Sequence, residues 1–83
     1  MPFMREPCPC CGYLTIESHA GYDVCAVCYW EDDGQSDADA DEALGGPIGA
    51  LSLSQARRNF REFGAIEVRF LSKVRPPRID EIP

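Results

Sequence analysis

The period of apolar positions changes along the chain, and each change predicts an element. Across residues 13–25 it is two: Leu14 and Ile16 alternate with Thr15 and Glu17, and Tyr22 and Val24 flank Asp23. With His19-Ala20-Gly21 between the runs, this predicts a β-hairpin with strands near 13–17 and 22–25. Residues 31–50, EDDGQSDADADEALGGPIGA, show no period. They read as an acidic, glycine-rich loop that turns at Gly45-Gly46-Pro47 and breaks again at Gly49, with helicity available only over 37–44. From Leu51 the period becomes helical. Leu53, Ala56, Phe60 and Phe63 form one stripe, with Arg57, Arg58, Arg61 and Glu62 mostly off it. Ser52 and Gln55 have the form of a capping box and Gly64 suits the C′ position, so a helix is expected over 53–63. Ile66, Phe70 and Val74, with Leu71 alongside, predict a second helix near 66–74; the alternation Ile66, Val68, Phe70 makes a strand the competing reading. Pro76-Pro77 ends either element, and residues 76–83 read as a loosely held tail.

A lone hairpin is not stable in water, so something must clamp it. Cys8 and Cys11 are separated by two residues, as are Cys25 and Cys28, with thirteen residues between the pairs. A C-x2-C turn folds two sulfurs to the spacing that a tetrahedral Zn²⁺ ion requires, roughly 3.8 Å for Zn–S bonds near 2.3 Å. Pro9 stiffens the first turn, and Gly12 lets the chain leave it with positive φ. Cys8, Cys11, Cys25 and Cys28 are therefore the expected ligands of one Zn²⁺ ion, with iron in a rubredoxin-like site as the chemical alternative. Four thiolates leave no open corner, which makes the metal structural, and its capture could supply ~10 kcal/mol or more of folding free energy.

Other chemistry-bearing residues are weaker. Cys10 is a surplus thiol, read as a spacer packed beside the knuckle or as an auxiliary, redox-responsive thiol. A thioredoxin-like role fits neither pair, because a strand rather than a helix is expected after Cys11. His19 falls at the expected hairpin tip, away from the cysteines, and is read as an exposed turn residue. Asp37, Asp39 and Asp41 have the spacing that opens a calcium loop, but Glu42 and Ile48 stand where that loop requires glycine and glutamate. Glu31-Asp32-Asp33 have no expected cleft around them. Trp30 is expected to cover the knuckle and meet Phe60 or Phe63; the alternative for Tyr29 and Trp30 is an exposed anchor for a partner.

Eighty-three residues build one small domain that is marginal without a metal, a disulfide or a partner. Five cysteines, an odd number, in a chain with no apolar run of membrane-spanning length and no signal-peptide pattern at 1–7 favour metal ligation in a reducing, cytoplasmic setting. Charge is segregated. Residues 1–50 carry ten acids against Arg5, a net −9, whereas residues 51–83 carry seven bases against four acids, a net +3. A field of −9 around the cysteines repels phosphate, so nucleic acid and anionic membrane are unfavoured partners.

The expected architecture is a small α+β single domain over 1–83. A zinc-ribbon or rubredoxin-like knuckle pair carries a hairpin (8–28), followed by the acidic loop (31–50), a helical segment (52–75) with one or two helices, and the tail (76–83). Cys8-Pro9-Cys10-Cys11-Gly12-Tyr13, Cys25-Ala26-Val27-Cys28-Tyr29-Trp30-Glu31-Asp32-Asp33, Gly45-Gly46-Pro47-Ile48-Gly49 and Ala56-Arg57-Arg58-Asn59-Phe60 together resemble the CPCC family of small cysteine-rich bacterial proteins. The likeness spans about residues 8–75 and departs at Ala26, where relatives usually carry proline. It implies a metal-binding domain and no assigned activity. With no nucleophile–base pair in view, the function expected is a non-enzymatic module that binds another protein. The alternatives are a nucleic-acid-binding zinc ribbon using the C-terminal arginines and a thiol sensor using Cys10.

Overall fold

Each C-x2-C turn makes its own short antiparallel ribbon in the computed structural model, which describes residues 5–17, 21–42 and 51–83. β1 (Glu6–Pro7) pairs with β2 (Leu14–Ile16), placing Glu6 opposite Ile16 and Pro7 opposite Leu14. One step on β1 thus faces two on β2, and Thr15 is the extra residue of a β-bulge. The Cys8 N–H donates to Tyr13 O and the Gly12 N–H to Cys8 O, both at 2.8 Å. The second turn repeats this pattern: the Cys25 N–H donates to Trp30 O and the Tyr29 N–H to Cys25 O, both at 2.9 Å. Val24 bridges Glu31 beyond it.

The hairpin expected between 13–17 and 22–25 is therefore corrected. Residues 14–16 pair backwards with β1, and Val24 pairs forwards with Glu31. A closed C-x2-C turn is already a hairpin turn, so each strand finds its partner across its own cysteine pair. The sulfurs sit at the tips of two ribbons instead of the open end of one. The hairpin tip at His19 and the Gly45-Gly46-Pro47 turn lie outside the described residues.

α1 (Leu53–Phe63) forms where the periodicity places it. Ser52 Oγ accepts the Gln55 N–H at 3.1 Å, and Gly64, at φ 95°, closes the C-terminus by donating to Phe60 O. The capping box is half made, because the Gln55 amide turns to Asn59 Oδ1 at 2.8 Å. Leu53 and Ala56 are fully buried against the ribbons.

The acidic stretch is more ordered than a loop reading implies. A 3-10 turn covers Asp37–Asp39, and Ala40 and Gln35 are buried. The Gln35 amide bridges the carbonyls of Asp39 and Glu42. Ala40 O accepts the Ser54 N–H at 2.8 Å, a donor that the first turn of α1 cannot satisfy internally. The rest of the helicity allowed over 37–44 reaches residues 43–44, which are not described.

The second helix is corrected to a six-residue 3-10 segment, Val68–Lys73. Its ends are pinned to the second turn: the Ile66 N–H donates to Cys28 O and the Arg75 N–H to Ala26 O. Nine residues of α-helix would advance about 13 Å, whereas carbonyls two residues apart lie within about 7 Å. The chain must double back, and a tight turn serves.

The tail is docked. Glu81 is buried in a 3-10 turn at Ile79–Glu81, where Arg75 grips it with two 2.8 Å bonds and the Arg78 N–H adds a third. Arg5 reaches it from the other end of the chain at 3.4 Å. Among the described residues no helix is long and apolar enough to cross a membrane.

Candidate metal centre

Cysteine side chains form a large part of the core. Cys8, Cys25 and Cys28 are buried with Ile16, Val27, Trp30, Leu53, Ala56 and Ile66, while Cys11 is half-buried at the edge. The two turns bring the sulfurs of Cys8, Cys11, Cys25 and Cys28 within 4.8 Å of one another. Cys8 Sγ lies 3.6 Å from Cys28 Sγ and Cys11 Sγ 3.7 Å from Cys25 Sγ. A tetrahedron with metal–sulfur bonds near 2.3 Å has edges of about 3.8 Å, so those two cross-turn edges fit one ion. Among the described residues this cluster is all sulfur.

Four thiolates packed this closely repel one another unless a cation sits among them. Without one, the sulfurs divide the charge unequally. Cys25 is held far below the ordinary thiol range by hydrogen bonds with Cys11, Cys28 and Cys8, which outweigh its burial. Cys8 is pushed up, first by its hydrogen bond with Cys11; Cys11 is pushed up by Cys25; Cys28 is pushed up by Cys10. A divalent cation would remove this frustration by letting every sulfur carry charge.

The surroundings favour the second pair. The Val27 N–H donates to Cys25 Sγ and the Trp30 N–H to Cys28 Sγ, each at 3.4 Å, and the Thr15 hydroxyl donates to Cys25 Sγ at 2.9 Å. Amide donors follow from the turns themselves. Thr15 reaches the cluster because it sits in the β2 bulge, a feature that re-aims a side chain.

The structure brings together the four cysteines singled out by spacing. Cys10 does not join their cluster, but it is buried in the same core. Trp30 is buried in the same core, and its indole Nε1 meets no acceptor among the described residues. Phe60 packs against this core, where Tyr13 meets it edge-on, and Tyr29 stacks on Phe70 of the 3-10 segment at 4.5 Å. Asp37, Asp39 and Asp41 turn to separate partners, the Arg57 guanidinium, the Ser36 N–H and the Ser54 hydroxyl. Asp32 is buried and Asp33 accepts the Gln35 N–H. His19 lies outside the described residues.

Three contributors escaped sequence reasoning. Thr15 looks like the polar half of an alternating strand, and only its position between the two cysteine pairs marks it. Arg57 stands off the apolar stripe of α1, and nothing in the sequence marks its role. Its Nε donates to Pro9 O at 2.9 Å while Nη2 pairs with Asp37 at 2.7 Å, joining the first turn, α1 and the acidic stretch. Tyr29 holds φ at 75° in the place that Gly12 occupies in the first turn, four residues after the leading cysteine. That offset was the available signal.

No curated protein matches the sequence. The family model described as "Cysteine-rich CPCC" matches residues 6–81, which takes in both cysteine pairs, α1 and the docked tail. The chain belongs to the cysteine-rich CPCC family.

Proposed function

We propose that the protein is a non-enzymatic protein-interaction module stabilised by one structural Zn²⁺ ion, its two turns forming a zinc-ribbon-like pair of knuckles. The observation that carries this reading is the convergence of four sulfurs within 4.8 Å. Cys8, Cys11, Cys25 and Cys28 would fill all four corners of a tetrahedral site, leaving none for a substrate or a water nucleophile. An all-sulfur tetrahedron suits zinc, whose filled d shell imposes no geometry of its own, and the metal's contribution there is to hold the fold. A groove of about 300 Å³ supports the partner-binding half of the reading. It is lined by Val27, Phe60, Val74, Pro76 and Pro77, beside the second turn. Native mass spectrometry of protein purified without added metal should show one zinc per chain; protein that carries iron or no metal would defeat the assignment. Crosslinking with the zinc-loaded chain should then capture a reproducible protein partner, and its absence would defeat the interaction role.

The burial of Cys10 in the same core as Cys28 favours a second reading, a thiol sensor. Hydrogen peroxide would take two electrons from the Cys10 thiol and the Cys28 thiolate, forming their disulfide and, with one proton from solvent, two molecules of water, and Cys28 would be lost as a ligand. Peroxide-driven metal release that proceeds unchanged in Cys10→Ser would eliminate it.

A further inference from the structure

The four sulfurs are not equivalent in what surrounds them. Cys25 and Cys28 lie fully inside, and between them they accept two peptide N–H bonds and the Thr15 hydroxyl. Among the described residues, Cys8 and Cys11 accept no backbone or hydroxyl donor. Cys8 is nonetheless 2% exposed, whereas Cys11 is half-buried at the rim. Cys11 thus lacks both forms of protection.

We propose that Thr15 is a positioning residue for the metal centre: its hydroxyl fixes Cys25 as an anchored ligand and leaves Cys11 as the one that gives way first when a competing chelator takes the metal. This rests on the reading of the cluster as a metal site and adds an order of release to it. A hydrogen bond to a thiolate draws off charge, lowers its basicity and holds its lone pairs in one direction. A bare, solvent-facing thiolate is more easily protonated or alkylated, and a competitor's donor atom can approach the corner it vacates. Two features of the fold locate Thr15 for this task. The bulge at Thr15 breaks the pairing of β2 with β1. The hydroxyl then spans the gap between the two ribbons, joining β2 of the first to the leading cysteine of the second at 2.9 Å.

The test compares wild type with Thr15→Val, which keeps the branched shape and removes the donor, and with Thr15→Ser, which restores it. Zinc transfer to the chromogenic chelator 4-(2-pyridylazo)resorcinol should be about 10-fold faster in Thr15→Val, in line with the effect of removing an outer hydrogen-bond partner, and near the wild-type rate in Thr15→Ser. The Co²⁺-loaded forms supply a readout that packing alone would not move. The sulfur-to-cobalt charge-transfer band should shift to lower energy in Thr15→Val and return in Thr15→Ser. In wild-type zinc protein, N-ethylmaleimide with mapping by mass spectrometry should modify Cys11 before the other three ligands; that arm needs no variant. Equal transfer rates with an unmoved cobalt band would overturn the role of Thr15. Modification of Cys25 or Cys28 ahead of Cys11 would overturn the order. A chain that shows no tetrahedral cobalt spectrum would instead remove the metal reading beneath both.

Discussion

Tyr29 and Gly12 occupy the same place in two turns that share a hydrogen-bond pattern, with φ of 75° and 83°. A left-handed conformation is free for glycine and costs about 1–2 kcal/mol for a residue with a β-carbon. In the second turn the tyrosine ring gives something back, since it stacks on Phe70, whose other neighbour is the Arg69 guanidinium. In the first turn an added β-carbon would meet no atom within 4 Å, so only the backbone resists it. Gly12→Ala should therefore lose about 1–2 kcal/mol in urea unfolding of the metal-loaded protein, with the cobalt spectrum unchanged. The positive φ of Gly12 was legible because glycine advertises it. Tyr29 advertises nothing by type, and only superimposing one cysteine pair on the other exposes it.

Between elements, what could be read was what depends on local order. α1 came out at its expected bounds because stripe, N-cap and C′ glycine all lie within the helix's own sequence. Strand partners did not, because alternation marks which face of a strand is apolar and says nothing of which strand lies beside it. The 3-10 segment Val68–Lys73 and the docked tail depend on contacts made by residues far apart in the chain. Glu81 shows what such contacts are worth. The hydrogen-bonded Arg75 guanidinium, helped by the Arg78 N–H, holds its carboxyl at about 2 against an ordinary 4.5, although burial opposes this. A depressed carboxylate contributes stability above its unfolded value and loses it as pH falls through the folded one. Glu81→Gln should cost about 3 kcal/mol at neutral pH, the low end for removing one partner of a buried pair because Arg75 and Arg5 are partly exposed. The gap between variant and wild type should narrow from pH 4.5 downward and close near pH 2. Paired urea titrations of the metal-loaded chains measure the start of that narrowing, down to the pH at which thiolate protonation releases the metal and both chains unfold.

At the scale of the whole molecule, the folded state hangs on the sulfur cluster. A chain of 83 residues buries too little hydrocarbon to be comfortable, and several of its buried positions are cysteines that mutually repel when ionised. Metal binding of ~10 kcal/mol or more is as large as the entire stability of an ordinary small domain. Chelation should accordingly abolish the cooperative thermal transition and the near-ultraviolet circular dichroism together; a sharp melt that survives metal removal would contradict the central role given to the cluster. The segregation of charge was plain from the sequence, but its structural use is narrow. Arg57 joins Asp37, which is almost fully exposed and adds little stability, and Arg5 crosses the other way to Glu81. The single tryptophan of the chain follows two residues after Cys28, shut away from solvent, with its peptide N–H on that sulfur. The protein is thus its own fluorimeter: indole emission should be blue while the centre is closed, dim when cobalt replaces a colourless ion, and drift red as the knuckles part, without any dye or tag.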